Sequence, residues 1–166
     1  MPTDSVVHQL AIRVSNRLRD ERLMLATAES CTGGLVAAAI TDISGSSGWF
    51  ERGFVTYSNQ AKCEMIGVPA DLIERHGAVS EPVARAMAEG ALRNSRAQVS
   101  LAITGVAGPT GGTETKPVGT VSFAWSNRLH TSVETVVFKG DRERIRAQAA
   151  AHALRGLLAL LDERER

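Results

Sequence analysis

The sequence contains few of the residues that mark several protein classes. Cysteine occurs only at Cys31 and Cys63, so there is no disulfide framework. We interpret both as small packed residues, with a reactive thiol at Cys31 as the alternative. No apolar run approaches the ~20 residues that a bilayer span requires, and the first residues lack the charged start and apolar block of a signal peptide. The sequence therefore predicts a cytoplasmic protein with no membrane segment.

The chain also has almost no excess of positive over negative charge. The 19 Lys and Arg residues and 18 Asp and Glu residues give a formal net charge of +1, so the basic excess typical of nucleic-acid-binding proteins is missing. Arg142, Arg144 and Arg146 alternate with other residues near the end of the chain, and we interpret them as the solvated face of a helix. No spacing of His, Cys and carboxylate residues is typical of a metal site, so we expect neither a metal nor another cofactor.

The apolar pattern predicts an α/β fold, a single layered domain over residues 1–166 with a mixed β-sheet flanked by helices. A helical stripe begins at Val7, and Ser80 and Asp141 are predicted N-caps of later helices. Predicted strands are LMLATAES, a second one from about Gly53 to Tyr57, then QVSLAITG, VGTVSFAW and HTSVETVVF. The last two are joined by a polar turn, and such a hairpin makes the sheet mixed rather than wholly parallel.

Ser30 lies where a buried strand meets a predicted helix that begins near Cys31. The first amides of a helix have no intrahelical partner, and the helix dipole adds partial positive charge there. Both stabilise the oxyanion that forms when a hydroxyl attacks a carbonyl. Ser30 is therefore a candidate nucleophile, with Thr32, Gly33 and Gly34 as candidate substrate contacts. The alternative is that Ser30 or Thr32 only caps the helix.

A serine nucleophile needs a base, and the four histidines lie in no motif that predicts a Ser-His-Asp triad. Lys62 is the other candidate, because it and Tyr57 lie at the two ends of a short strand-to-helix junction and could face one pocket. Its pKa must fall well below ~10.4 for this role, through burial or a nearby positive charge. The alternatives are a surface lysine, a tyrosine that only packs, and Ser58 as a rival nucleophile.

A glycine-rich loop follows the apolar strand QVSLAITG. Its glycines expose backbone N–H groups, which suits an anion such as phosphate. Neither a Walker loop nor a G-x-G-x-x-G motif is present, so ATP and dinucleotide binding are disfavoured. The candidate substrate contacts here are Thr104, Gly105, Gly108, Gly111 and Gly112. A flexible turn would require the same residues.

Five segments, taken in order, resemble one family. TAESCTGG, TYSNQAK, HGAVSEPVA, TGVAGPTGG and KPVGTVSFAW are similar to the CinA C-terminal domain family in its stand-alone PncC type, the nicotinamide-nucleotide amidases. The resemblance covers nearly the whole chain. It implies a CinA C-terminal domain-like fold, without the larger N-terminal domain that CinA proteins carry.

The resemblance also implies an activity, the deamidation of nicotinamide mononucleotide (NMN) to nicotinic acid mononucleotide and ammonia in pyridine-nucleotide recycling. It implies a serine amidohydrolase in which Ser30 is the nucleophile and Tyr57 and Lys62 complete the catalytic set. We expect NMN as the small-molecule partner, no nucleic acid, and a homo-oligomer such as a dimer.

Two other functions remain open from the sequence. One is a catalytically silent homologue that binds a pyridine nucleotide or an ADP-ribose-like ligand in the same pocket. The other is a partner protein linked to competence or DNA damage. The intact set of Ser30, Tyr57 and Lys62 favours catalysis, and the lack of a basic stripe argues against DNA.

Overall fold

The computed structural model describes residues 2–164, with side chains described for residues 6–163. The helices are α1 (Pro2–Glu21), α2 (Leu35–Thr41), α3 (Asn59–Ile66), α4 (Ala70–His76), α5 (Glu81–Arg93) and α6 (Arg142–Arg164). The strands are β1 (Leu25–Glu29), β2 (Phe50–Val55), β3 (Val99–Gly105), β4 (Thr120–Ser126) and β5 (Thr131–Val137), and a 3₁₀ turn spans Ser46–Gly48. Within this part of the chain, none of the helices has the length and apolarity to span a bilayer.

The five strands form one mixed sheet in the order β2-β1-β3-β4-β5. β1 runs parallel to both of its neighbours, whereas the β3–β4 and β4–β5 pairs are antiparallel. The predicted α/β fold with a mixed sheet and a late hairpin is therefore confirmed. Because β1, β2 and β3 run in the same direction, their carboxyl ends meet at one edge, where open α/β sheets bind ligands.

Side-chain size alternates along the central strands and divides the core into two parts. Large residues such as Leu25, Leu101 and Phe123 cover one face, where α1, α2 and α6 pack. Alanines such as Ala26 and Ala102 cover the other face, against α5 and the short helices α3 and α4. The sheet is thus enclosed between two helical layers, and its edges and strand ends remain open.

The second strand ends earlier than predicted. β2 spans Phe50–Val55, whereas the prediction ran from about Gly53 to Tyr57. The Thr56 amide still donates to the carbonyl of Glu29 at 2.9 Å, but the hydroxyl of Ser58 caps α3 immediately afterwards. The chain therefore leaves the sheet at Thr56 and turns into α3.

The helix after Ser30 begins later than predicted. It was expected to start near Cys31, but α2 begins at Leu35. Gly33 and Gly34 have φ values of +58° and +108°, in a left-handed region that a helix does not include and that glycine adopts without steric cost. Ser30 is therefore separated from α2 by a tight turn.

Both predicted N-caps are confirmed. The hydroxyl of Ser80 accepts a hydrogen bond from the Val83 amide at 3.4 Å, and the Asp141 carboxylate accepts one from the Arg144 amide at 2.9 Å. These contacts fix the starts of α5 and α6. The first turn of α6 carries Arg142, which reaches the site described next.

Candidate active site

Ser30 and Lys62 meet at the carboxyl edge of the parallel strands. Ser30 follows β1 directly, and Lys62 lies early in α3, the helix that follows β2. The Nζ atom of Lys62 lies 3.2 Å from the Oγ atom of Ser30. Two residues far apart in sequence are thus within hydrogen-bonding distance because β1 and β2 are adjacent and parallel.

Lys62 is 1% exposed and is among the largest fully buried side chains of the described residues. Its Nζ atom donates to the carbonyl oxygens of Thr56 at 3.0 Å and Tyr57 at 3.4 Å. Burial lowers the pKa of Lys62, because desolvation disfavours the ammonium form. The nearby thiols of Cys31 and Cys63 oppose this shift without reversing it.

An ammonium can donate to Ser30, Thr56 and Tyr57 at once, and a neutral amine also fits these contacts. A neutral Lys62 has two N–H bonds, which the carbonyls of Thr56 and Tyr57 can accept, and one lone pair. The lone pair is then left for the hydroxyl of Ser30, which is 7% exposed. The Ser30 hydroxyl also lies 3.3 Å from the Tyr57 carbonyl. The geometry therefore allows a proton to pass from Ser30 to Lys62.

Glu29, the residue before Ser30, holds the turn that follows Ser30. Its side chain is 1% exposed, and its carboxylate accepts hydrogen bonds from the Thr32 hydroxyl at 2.7 Å and from the amides of Val36 and Ala37 at 3.0 Å each. A carboxylate is favoured at the start of a helix. Sequence reasoning did not single out Glu29, although an acidic residue between a buried strand and a helix is a signal for such a cap.

Arg146 fixes the same turn from the other side. Its Nε atom donates to the carbonyl of Cys31 at 3.0 Å and its Nη2 atom to the carbonyl of Thr32 at 3.3 Å. These carbonyls belong to the peptide groups Cys31–Thr32 and Thr32–Gly33, the second and third after Ser30. The backbone beside the candidate nucleophile is therefore held by a side chain from α6.

Arg142 links two loops at the mouth of the site. Its Nη1 atom donates to the Gly108 carbonyl at 2.7 Å and its Nη2 atom to the Tyr57 hydroxyl at 3.3 Å. The three arginines were interpreted as a solvated face, and Arg142 and Arg144 are indeed exposed, but Arg146 is half-buried and both Arg142 and Arg146 contact the site. Their spacing of four residues was the available signal, since it puts both on one face of a helix.

Ser30 and Lys62 lie at the buried end of a cleft of about 330 Å³. Of the candidate substrate contacts, Thr104, Gly105, Gly108 and Gly111 line this cleft. The described lining does not include Gly112, nor the three residues Thr32, Gly33 and Gly34. The Thr32 hydroxyl is bonded to Glu29, and the Gly33 amide donates to the Ser30 carbonyl at 3.0 Å. Substrate contact by these four residues remains a prediction.

The end of β3 lies close to the turn that carries Ser30. A Cβ atom at Gly105 would lie 3.0 Å from the Sγ atom of Cys31 and 2.7 Å from a Val121 methyl group, so only glycine fits without displacing its neighbours. Burial raises the pKa of Cys31 to about 11. The thiol therefore stays protonated near neutral pH, in agreement with its interpretation as a packed residue.

The basic side chains in the described lining of the cleft are those of Lys62 and Arg142. Lys62 lies at its inner end and Arg142 at its mouth, and no acidic residue is found in the described lining. Residues 2–164 also contain no group of three His, Cys, Asp or Glu side chains that could hold a metal ion. The guanidinium of Arg142 stays charged, so the mouth of the cleft favours a ligand that carries an anionic group.

Known proteins resemble the chain over most of its length. The family model of the CinA C-terminal domain matches residues 7–161. The nicotinamide-nucleotide amidohydrolase PncC of Escherichia coli K12 is 53% identical over 156 residues, which cover 93% of this chain and 94% of that protein. A putative competence-damage inducible protein of Symbiobacterium thermophilum is 54% identical, but the match covers 90% of this chain and only 38% of that protein.

Solved structures agree with the fold. The competence/damage inducible protein CihA from Agrobacterium tumefaciens superposes with a TM-score of 0.91 at 44% identity, covering 93% of this chain and 95% of that chain. A CinA superfamily protein from Escherichia coli has a TM-score of 0.89 at 42% identity, with coverage of 93% and 90%. The similarity therefore extends from the sequence to the arrangement of the whole sheet.

Proposed function

The chain belongs to the CinA C-terminal domain family, and on that premise we propose that it is a serine amidohydrolase that converts NMN into nicotinic acid mononucleotide and ammonia. The observation that carries the proposal is the 3.2 Å contact between the buried amine of Lys62 and the hydroxyl of Ser30. The 53% identity to a protein named nicotinamide-nucleotide amidohydrolase supports the choice of substrate.

In the first step, the neutral amine of Lys62 takes the proton of Ser30 while the serine oxygen attacks the carboxamide carbon. Burial supports this role, because it lowers the pKa of Lys62 and increases the uncharged fraction near neutral pH. Tyr57 assists through its backbone carbonyl, which lies near both groups. Its phenol contacts Arg142 instead, so we assign the phenol to substrate binding at the mouth.

The tetrahedral intermediate needs donors for its oxyanion. We assign them to the amides of Cys31 and Thr32, since the amide of Gly33 already donates to the Ser30 carbonyl. Arg146 helps to orient the amide of Thr32. Its Nε atom holds the carbonyl of Cys31, which shares a planar trans peptide with the amide of Thr32, and the N–H of that amide points the opposite way.

Collapse of the intermediate completes acylation. The ammonium of Lys62 gives its proton to the departing nitrogen, which leaves as ammonia, and the acyl group stays on Ser30. A water molecule then attacks the acyl carbon with Lys62 again as base. This second step releases the carboxylic acid and restores the Ser30 hydroxyl.

The mouth of the cleft suits a phosphorylated pyridinium. Arg142 and the backbone amides of the glycine-rich loop offer donors to the phosphate. The ring of Tyr57 is 62% exposed and offers an aromatic face to the cationic ring of NMN. Substrate recognition is thus assigned to the mouth and bond cleavage to the inner end.

A silent ligand-binding protein is less well supported by this geometry. Burying a lysine amine costs free energy, and binding alone gives no reason to place that amine against a serine hydroxyl. The competence-linked alternative stays a prediction, and salt-dependent DNA binding would test it.

The proposed function is tested by ammonia release from NMN. We expect release by the wild type and none by Ser30→Ala. Ser58→Ala is the matched control, because Ser58 was the rival nucleophile and its hydroxyl only caps α3. It should keep most of the activity at a stability cost of about 1 kcal/mol. Release that survives Ser30→Ala would contradict the proposal.

A further inference from the structure

Lys62 is a buried amine without an anionic neighbour. Its Nζ atom contacts the Ser30 hydroxyl and the carbonyls of Thr56 and Tyr57, and none of the described ion pairs includes it. The nearby Glu29 carboxylate is directed to the start of α2 instead. When Lys62 carries a charge, the protein itself therefore supplies no counter-charge in direct contact.

The other ionisable groups around this amine do not change that conclusion. The thiols of Cys31 and Cys63 act on it electrostatically, but burial keeps Cys31 protonated. Arg142 and the Tyr57 phenol line the same cleft. Helices α4 and α5, which pack against α3, place no described side chain in the lining. An anion that reaches the inner end would be the direct partner of Lys62.

The proposed substrate and product differ at the position that meets this amine. The reacting group of the substrate is a neutral carboxamide, whereas a carboxylic acid with an ordinary pKa of ~4 is an anion near neutral pH. In the pose that brings the reacting carbon to Ser30, an oxygen of the product carboxylate lies beside Nζ of Lys62. Opposite charges at this range favour the protonated amine.

We propose that the cleft binds the carboxylate product together with one proton, which Lys62 takes from solvent, so that product inhibition strengthens as the pH falls. The inference rests on the proposed function, because it concerns the product of that reaction. The step makes and breaks no covalent bond except the new N–H bond of Lys62. Lys62 thus acts as the catalytic base when it is neutral and binds the product carboxylate when it is protonated.

The sign and size of the effect follow from proton linkage. Between the pKa of Lys62 in the free protein and its higher pKa in the complex, the Kd of the product falls by up to tenfold for each unit by which the pH falls. The Kd of the neutral amide should show no comparable fall as the pH falls. Both ligands carry the same ribose, pyridinium and phosphate, so titration of the phosphate near pH ~6 cancels in the ratio of their Kd values.

Calorimetric titration tests this inference. Ser30→Ala protein is titrated with nicotinic acid mononucleotide and, separately, with NMN, which this variant should not consume, from about pH 6 to about pH 9 in buffers of different ionisation enthalpy. We expect the acid to bind with uptake of up to one proton and the amide with markedly less. The ratio of the two Kd values should change in favour of the acid as the pH falls.

Lysine variants in the same background identify the group. Lys62→Met should abolish the difference in proton uptake, whereas Lys139→Met, which removes an exposed lysine, should preserve it. Equal proton uptake by the two ligands would overturn the inference without any variant, and so would a difference that persists in Lys62→Met. Ammonia release by the wild type is measured separately, so failure of the proposed function is distinguished from failure of this inference.

Discussion

Ser30 and Lys62 at the inner end of the cleft, and Glu29 directly behind Ser30, are at most 7% exposed, and each is held by contacts from other elements. At the mouth, Tyr57 is 62% exposed, and its phenol has one described contact, the 3.3 Å hydrogen bond from Arg142. A preorganised inner end favours a fixed reaction geometry, whereas an open mouth favours adjustable binding. Changes at the inner end should therefore act on kcat, and changes at the mouth on KM.

The largest effect is expected for Lys62→Met. Loss of the base should lower kcat by about 10²- to 10⁴-fold, with a small change in KM. Ammonia release from NMN measures the effect, and a thermal melt shows that the variant is folded. Lys139→Met is the matched control and should be fully active. A loss of less than about tenfold would mean that another group serves as the base.

Glu29→Gln tests how far the inner end depends on its fixed turn. The amide side chain replaces one accepting oxygen with a donor that faces the donors of Thr32, Val36 or Ala37. We expect a loss of about 2–4 kcal/mol in the free energy of unfolding, measured by denaturant titration, and a lower kcat in the folded variant. Glu74→Gln, at an exposed position, should stay within about 0.5 kcal/mol. Similar values for both variants would show that the turn does not need this carboxylate.

Arg142→Gln tests the assignment of phosphate binding to the mouth. Removal of a charged hydrogen bond worth about 1.5–3 kcal/mol should raise KM for NMN by about 10- to 100-fold and leave kcat nearly unchanged. Arg144→Gln, on another face of α6, should behave like the wild type. With nicotinamide riboside, which lacks the phosphate, Arg142→Gln should have little effect. A fall in kcat at unchanged KM would place Arg142 in the chemistry instead.

The smallest effect is expected for Tyr57→Phe. This change removes the contact with Arg142 but keeps the ring and the backbone carbonyl that faces Lys62. We expect less than about a tenfold change in kcat/KM, and a further rise in KM for Tyr57→Ala, which also removes the aromatic face. If steady-state rates fell by more than about 100-fold in Tyr57→Phe, the phenol would be part of the proton pathway.

The inner end was more predictable from the sequence than the mouth. Ser30 and Lys62 each lie in a short segment where a strand ends, and parallel strands bring such ends together. The sequence placed each of them at a strand end and the family resemblance joined them in one catalytic set, whereas the parallel pairing of β1 and β2 comes from the structure. The contacts that hold them were less predictable. Glu29 accepts hydrogen bonds from the start of α2. That helix begins later than predicted because Gly33 and Gly34 adopt left-handed conformations.

The arginines could not be assigned from sequence. Arg142 reaches a carbonyl 34 positions away and Arg146 one 115 positions away. A backbone carbonyl carries no side-chain signal, so neither composition nor periodicity reveals such a partner. Tyr57 is a further example. The sequence predicted a role for its phenol, but its contacts with Ser30 and Lys62 are made by its backbone carbonyl, which carries no sequence signal.

The central claim, that Lys62 is an uncharged amine able to accept the Ser30 proton, is tested most directly by its own titration. The chain has only three lysines, Lys62, Lys116 and Lys139, so ¹⁵N-lysine labelling gives three side-chain signals that single Lys→Met variants assign. We predict that Lys62 titrates below the ordinary lysine value of ~10.4, because burial lowers its pKa, and that kcat/KM falls as the pH drops through the same midpoint. Titration of Lys62 at the ordinary value, together with a kcat/KM that does not change at the midpoint of that titration, would contradict the account.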